Sequence, residues 1–448
     1  MRWVGLAGAA TALFAARAAE RAAVTILVLA PDASAAARLE EELRFFAPPQ
    51  LPVHPFPGYE TLPYDQFSPH PDIISQRLRT LASLPGLRAA IVVTDLATAL
   101  QRLPPRDFVD GHVLNLAIGQ ELDLEAFRLR LTAAGYASVP QVAGPGEYAI
   151  RGSLFDVFPM GSEAPLRVDL FDRQIDSIRS FDADTQRSSE RLERVDLLPG
   201  REFSLAPEST RDFRRRFRTR FEGDLTRMPL YRDLGEGLAP AGIEYHLPLF
   251  FERTATLFDY LPGRCVVALP AGHAALLAGA WRAIEERYEE RRYDLEHPVL
   301  RPDEAFVPPG DWTTQAGRHP CLLLGEDAGP EGSAGEVTIV DLRASEPPSV
   351  RLDPRHAGTI EAFASLLSAD PGRSLIVAES PGRREVLREL LRPHGIDPPL
   401  VAGWQEFLAS TASLAIAVAP LASGVVFDDP PITLYAEEQL FGARARQE

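Results

Sequence analysis

The chain has 448 residues, of which 45% are hydrophobic and 24% charged, a balance typical of a folded protein with room for roughly three domains. All 46 basic residues are arginines, and 63 acidic residues bring the net charge to −17. This charge argues against sequence-independent DNA binding by the molecule as a whole. The lack of lysine also excludes any mechanism that needs a phosphate-binding or Schiff-base lysine.

The N-terminal segment predicts a loop, a helix, a buried strand at Thr25–Ala30 and a second helix. The apolar stretch Trp3–Ala16 and the following Arg17-Ala18 imitate a secretory signal with an A-x-A cleavage site. That likeness leaves a secreted or periplasmic binding protein as a minor alternative. The buried strand that follows at once favours a folded α/β segment instead.

Residues 5–12, GLAGAATA, stand where a P-loop would precede the first helix. A P-loop needs G-x-x-x-x-G-K-[ST], because its lysine reaches the phosphates and its hydroxyl holds Mg²⁺. Aligned on Gly8, Thr11 stands at the lysine position and Ala12 at the Ser/Thr position. The strand predicted at Cys265–Leu269 is followed by Pro-Ala-Gly rather than by acidic residues. Both halves of an ATP site are therefore predicted to be degenerate.

The order of predicted elements indicates an inserted domain. Up to about residue 115, helices alternate with apolar strands such as Ala89–Thr94, which is typical of a parallel α/β layer. Residues 116–200 predict an antiparallel β-rich segment, and helices return in residues 201–330. The Gly/Pro/Ser-rich stretch near Asp327–Gly335 predicts a linker, placed at residues 331–345. Strands at Ser374–Ala378, Leu414–Ala419 and Ile432–Ala436 then predict a separate small α/β domain at residues 346–448.

Within the β-rich segment, Ser153–Pro159, Leu166–Phe171 and Ile175–Phe181 predict three strands of a meander. Because side chains alternate along a strand, Arg167, Asp169 and Phe171 should share one face, with the aliphatic residues between them on the core face. An aromatic side chain between charges suits a protein partner better than plain solvent. A solvated face with one stray phenylalanine is the alternative.

The most basic stretch, residues 212–221, carries Phe213, Phe217 and Phe221 at helical spacing among arginines. Such a stripe favours a core-facing helix over a nucleic-acid groove. Cys265 and Cys321 are too few for a disulfide framework and favour a reducing, cytoplasmic compartment. The scattered histidines predict no metal site. No segment reaches the ~20 apolar residues of a membrane span.

Three long blocks, Gly58–Leu78, Gly144–Arg187 and Ala241–Phe251, closely resemble the N-terminal part of the bacterial transcription-repair coupling factors. That part is in turn similar to the excision-repair protein UvrB. The resemblance implies a degenerate RecA-like domain in two pieces, residues 1–115 and 201–330, that flank the inserted domain. UvrB's DNA-probing hairpin has no counterpart here, since Tyr64-Asp65 leads directly into a helix around Ile73–Leu81.

The resemblance also implies the function. The chain would be a non-catalytic module, without cofactor, that recruits UvrA to stalled RNA polymerase through the β-rich domain. Carried over by position, the UvrA-binding residues are Arg151, Arg167 and Phe171. Alanine at Arg167 or Phe171 is expected to weaken UvrA binding with little loss of stability. Weak or no DNA binding and no membrane contact are expected.

The main alternative is a DNA-dependent ATPase of the UvrB type, which the degenerate nucleotide site argues against. In the family, the motor domains lie beyond the point that corresponds to residue 448. The sequence also leaves open an intramolecular contact, in which those domains cover the UvrA-binding surface in the intact protein.

Overall fold

The computed structural model describes residues 1–326, 337–352, 356–370 and 372–441. Residues 1–113 alternate strands and helices: β1 (Arg2–Val4), α1 (Ala10–Ala22), β2 (Thr25–Ala30), α2 (Ala33–Phe46), β3 (Val53–Pro55), α3 (Pro71–Ser83), β4 (Ala90–Asp95) and α4 (Arg106–Gly111). The next segment is mainly strands: β5 (Leu114–Ala117), α5 (Leu124–Ala133), β6 (Ala137–Ser138), β7 (Glu147–Arg151), β8 (Leu154–Val157), β9 (Leu166–Phe171), β10 (Gln174–Phe181), β11 (Ser188–Leu192) and β12 (Arg194–Leu197).

Helices then predominate: α6 (Pro207–Arg220), α7 (Pro229–Gly235), α8 (Leu257–Tyr260), β13 (Cys265–Pro270), α9 (His273–Arg291), α10 (Pro302–Ala305), α11 (Pro309–Ala316) and β14 (Cys321–Leu324). The last segment holds β15 (Ile339–Asp341), α12 (Ala357–Ala369), β16 (Arg373–Ala378), α13 (Pro381–Leu391), α14 (Trp404–Ala409), β17 (Leu414–Val418), β18 (Val425–Asp428), β19 (Pro431–Ala436) and α15 (Glu437–Phe441). Short 3-10 helices lie at Leu84–Gly86, Thr98–Leu100, Leu225–Arg227, Ile243–Leu249 and Arg392–His394.

A seven-stranded parallel sheet is the centre of the α/β fold, with the strand order β15-β1-β14-β13-β2-β4-β3. It takes strands from both sides of the β-rich segment. Strand β2 is buried along its whole length, as strands covered on both faces are. Leu27 and Leu29 face one apolar cluster, whereas Ile26 and Val28 face another on the opposite side of the sheet. The apolar runs predicted at β2, β4 and β13 are confirmed.

Two short strands at one side of this sheet, β1 and β15, differ from the sequence-based expectations. Arg2–Val4, predicted as loop, is β1 and pairs with both β14 and β15. Ile339–Asp341 lies inside the linker predicted at residues 331–345, yet it is β15. The linker expectation is therefore wrong for those three residues. Strands this short carry no readable periodicity, and only their pairing partners define them. The linker-like stretch Asp327–Gly335 lies entirely outside the described residues.

The β-rich segment forms a six-stranded sheet with the order β11-β10-β9-β8-β7-β6, so consecutive strands are neighbours. The predicted meander is confirmed, and Leu166–Phe171 has the predicted bounds. Strands β5 and β12, at the two ends of the segment, pair antiparallel with each other. The chain therefore enters and leaves this segment at one place, as an insertion in a loop requires.

A four-stranded sheet, β17-β16-β19-β18, ends the described chain. The three predicted strands are present, and the structure adds β18, which pairs antiparallel with β19. This sheet is not independent in its packing. Trp404 stacks edge-on against Phe46 of α2 at 5.4 Å between ring centroids, and Phe427 contacts Phe14 of α1 at 6.4 Å. The small sheet and the large one therefore share an apolar layer.

Candidate protein-interaction surface

The six-stranded sheet has a core face and an outer face, and β9 shows the two most clearly. Val168 is fully buried and points inward with Leu166 and Leu170. Arg167, Asp169 and Phe171 point outward. The predicted alternation is confirmed. In the antiparallel sheet, directly opposed residues share a face; β7 and β8 therefore contribute their outward residues to the same surface.

Phe171 is the large apolar side chain of this outer face, and 78% of its surface is exposed. It lies at the end of β9, where Asp172 adopts a positive φ of 58° and turns the chain into β10. A phenylalanine exposed to this extent gains nothing from the folded core. Aromatic side chains on a rigid strand are typical anchors of protein interfaces, because burying them on association releases their hydrating water.

Arg167 lies on the same face, but its side chain is bound by contacts to other residues of the sheet. Its Nε and Nη2 donate to the two carboxylate oxygens of Asp156 on β8 at 2.7 and 2.8 Å. Its guanidinium carbon lies 4.6 Å from the ring centroid of Phe181. Only 22% of the side chain is exposed, and the hydrogen bonds to Asp156 raise the pKa of Arg167. These contacts fix the guanidinium in a single orientation.

Arg151, at the end of β7, completes the predicted trio. It is exposed and donates to the Pro140 carbonyl. It lies opposite Leu154, which in turn lies opposite Asp169 of β9. Two strand spacings, roughly 10 Å, therefore separate Arg151 from the outward row of β9. The structure brings Arg151, Arg167 and Phe171 onto one face of one sheet.

Sequence reasoning missed the groups that support this face. Phe181 is 1% exposed and forms a small apolar cluster with Val142, Ala149 and Phe158. Asp156 is 5% exposed and serves as the counter-charge of Arg167. The available signal was Asp156 itself, a carboxylate between the apolar neighbours Phe155 and Val157 of a strand, because such a group usually has a cationic partner.

The predicted nucleotide site maps to a second place, a cavity of about 450 Å³ at the carboxyl ends of the parallel strands. Gly8 and Thr11 line it, and so do Pro270 at the end of β13 and Gly325 after β14. Strand β14 lies between β1 and β13, so both predicted halves of the site face one cavity. Ala12 is fully buried on α1 and does not line it.

The charged residues that line this cavity are Arg38 and Glu42, both from α2. Burial raises the pKa of Glu42 to about 7, so this carboxyl is partly protonated near neutral pH. Ala422 and Ser423, in the loop between β17 and β18, line one side of the cavity. A Cβ on Gly8, whose φ is +54°, would lie 1.9 Å from the Gly424 carbonyl oxygen. The cavity therefore offers neither a lysine nor an ionised strand-end carboxylate to a nucleotide–Mg²⁺ complex.

Within the described residues, no cluster of three or more His, Cys, Asp or Glu side chains is placed to hold a metal ion. In the same part of the chain, no helix is both long and apolar enough to cross a bilayer.

Comparison with known proteins places these features in a family. The family model described as the UvrB interaction domain matches residues 114–203. This is the segment of the six-stranded sheet and its closing β5–β12 pair. The model described as the MFD D3 domain matches residues 367–440, which hold the small sheet.

Whole-chain relatives agree. The chain is 36% identical to the transcription-repair-coupling factor of Escherichia coli over 448 residues, covering 99% of this chain and 38% of that protein. It is 33% identical to the Haemophilus influenzae protein of the same name, over 94% of this chain and 36% of the relative. The Bacillus subtilis one is 27% identical over 59% of this chain and 24% of its own length. The chain thus spans little more than a third of the Escherichia coli and Haemophilus influenzae relatives, and it belongs to the transcription-repair-coupling factor family.

Proposed function

We propose that this chain is the UvrA-recruiting module of a cytoplasmic transcription-repair coupling factor, and that the outer face of its six-stranded sheet is the UvrA surface. The observation that carries the proposal is the 78% exposed Phe171 on a face that also presents Arg151 and Arg167. The match of residues 114–203 to the UvrB interaction domain supports it. An anchor aromatic beside arginines is a composition frequent at interface hot spots.

The large sheet is proposed to be a remnant RecA-like domain, built from residues 1–115 and 201–330 and split by the domain at residues 116–200. The strand order supports this proposal: one parallel sheet joins β1, β2, β3 and β4 from the first piece to β13 and β14 from the second. Residues 346–448 would be the small third domain, with β15 moved from the predicted linker into the sheet. In this proposal the remnant is a scaffold that presents the inserted sheet.

The module is proposed to be non-catalytic. A P-loop ATPase needs a lysine on the phosphates and an acidic group for Mg²⁺, and Thr11, Pro270 and Ala271 stand at the cavity instead. The alternative, a UvrB-type DNA-dependent ATPase, requires both groups. With a net charge of −17, the module should also bind duplex DNA weakly at physiological salt.

The test is calorimetric titration of UvrA with the full chain and two variants. Phe171→Ala should weaken binding by about 1–4 kcal/mol, the usual range for an interface anchor. Its melting temperature should stay near that of the wild type, because exposed substitutions change stability by about 0.5 kcal/mol or less. Phe67→Ala is the matched control, since Phe67 is 71% exposed outside the six-stranded sheet. Equal affinities for all three proteins would remove the surface from consideration.

A further inference from the structure

A cleft of about 800 Å³ lies between α6, the chain segment after Leu249 and the start of α10. Five arginines and three acidic residues line it, together with apolar side chains and two threonines. The lining therefore has an excess of positive charge, in a chain whose net charge is −17. Because the chain contains no lysine, the presence of arginine rather than lysine at the cleft says nothing about a ligand. What distinguishes these arginines is whether each has an acidic partner.

Two of the five are neutralised. Arg220 forms a bidentate pair with Glu304, with nitrogen–oxygen distances of 2.7 and 2.6 Å. Arg215 pairs with Asp212 at 3.0 Å. Within the described residues, the other three, Arg102, Arg216 and Arg253, have no carboxylate within 4.0 Å. Three guanidinium groups without an ion-pair partner among the described residues therefore face one concave surface.

Arg102 is partly buried, and its hydrogen-bonding groups are only partly satisfied. Its Nη2 donates to the Asp303 carbonyl at 2.8 Å and its Nη1 to the Thr254 hydroxyl at 3.3 Å. Its Nε is buried without a partner, and burial lowers the pKa of Arg102. A desolvated cation with an unpaired N–H group is unfavourable until an anion reaches it. Arg216 donates to the carbonyl of Leu249, another residue that lines the cleft, at 3.0 Å, and this contact holds its guanidinium at the cleft.

We propose that this cleft binds a phosphate-bearing anion. A multiply charged phosphate offsets three guanidinium groups better than a single carboxylate does, and arginine matches it with paired N–H donors. The exposed Glu252 and Asp303 at the cleft oppose a long polyanion such as duplex DNA. The apolar wall, formed by Leu249, Phe251 and Leu300, leaves room for an organic group attached to the phosphate. A free nucleotide and the terminal phosphate of a single strand share this chemistry.

The test is calorimetric titration of the full chain with inorganic pyrophosphate. Arg253→Gln and Arg216→Gln should each weaken binding about 10-fold, the loss expected for one charged hydrogen-bonding partner. The matched control is Arg218→Gln, on the same helix but outside the cleft and without an ion pair in the described residues. It should bind within about twofold of wild type, since surface substitutions away from a site change little. Arg253 is exposed, so loss of the fold does not explain its effect.

Displacement of pyrophosphate by ADP or by a 5′-phosphorylated single-stranded oligonucleotide then separates the two sources of phosphate, and either result supports the site. An equal loss in Arg218→Gln would indicate diffuse electrostatics and overturn the proposal. So would tighter binding of an acidic peptide than of pyrophosphate, or the lack of saturable pyrophosphate binding. None of these outcomes bears on the UvrA surface, which lies on the six-stranded sheet.

Discussion

At the scale of single residues, Arg167 and Phe171 on the outer face of β9 differ in how strongly the rest of the domain holds them. Phe171 is exposed and unsupported, whereas Arg167 is clamped between Asp156 and Phe181. We therefore keep the expectation that alanine leaves stability unchanged for Phe171 and replace it for Arg167. An affinity loss in an Arg167 variant has to be interpreted together with its stability.

Arg167→Ala should lower the free energy of unfolding by about 1–3 kcal/mol, because it leaves the carboxylate of Asp156, 5% exposed, without its bidentate donor. Urea denaturation measures this loss. The double variant with Asp156→Asn should recover part of it, since the buried charge is then gone. Val168→Ala, on the core face, should cost roughly 1–4 kcal/mol through cavity formation. An Arg167→Ala protein as stable as wild type would contradict the clamp.

His246 predicts a pH dependence. It is fully desolvated in the 3-10 helix Ile243–Leu249, with Nε2 2.8 Å from the Pro298 carbonyl oxygen, and burial lowers the pKa of His246 to about 4. The unfolded chain has a histidine pKa of about 6.5 and so binds the proton first on acidification. His246 therefore stabilises the fold above pH ~6.5 and loses that contribution as the pH falls towards 4.

The stability advantage of wild type over His246→Gln should shrink by about 2 kcal/mol between pH 6.5 and pH 5. Chemical denaturation of both proteins at the two pH values gives this difference, and titration of other groups cancels in the comparison. A constant or growing advantage on acidification would mean that the folded protein holds His246 protonated.

At the scale of elements, one buried ion pair joins the two chain segments that flank the inserted sheet. Arg77 of α3 and Glu202 have 0% and 1% side-chain exposure and are 2.8 Å apart. Arg77 also donates to the Pro57 carbonyl and to Gln101, and Tyr59 donates to Glu202. These contacts fasten the segment that leaves the six-stranded sheet to the N-terminal helices, so the sheet is held in a defined position on the scaffold.

Arg77→Ala should lower the free energy of unfolding by about 3–5 kcal/mol, because it leaves Glu202 charged and buried. The double variant Arg77→Met with Glu202→Leu should regain much of that loss, since apolar residues of similar volume replace a buried pair at little cost. Thermal unfolding followed by circular dichroism distinguishes the two. A double variant no better than Arg77→Ala would locate the stabilisation in the surrounding hydrogen bonds instead.

At the scale of the whole molecule, the cavity of the large sheet predicts that a single lysine substitution does not produce nucleotide hydrolysis. Thr11→Lys should leave DNA-stimulated phosphate release at the background level. The loop containing Gly424 closes over Gly8, and no acidic residue follows β13 before Glu285. Nucleotide hydrolysis by the Thr11→Lys chain above a mock preparation would show that another carboxylate, such as Glu42 on the cavity wall, can serve the metal.

The sequence by itself determined the α/β class, the fully buried strands and the two faces of β9, because apolar periodicity is a local property that packing follows. It also carried the family resemblance and the absence of lysine, which are matters of residue identity. The stripe of Phe213, Phe217 and Phe221 was predicted as core; the first two rings are fully buried, and Phe221 packs partly buried against the same core.

Only the tertiary structure decided which distant groups meet. Strands β1 and β15 exist through pairing across more than three hundred residues. Asp156 became the partner of Arg167, and Arg77 that of Glu202, through sheet register and helix packing. Three arginines from separate elements came to line one cleft without counter-charges. Electrostatic and hydrogen-bonding energies depend on distance and burial, neither of which spacing along the chain encodes.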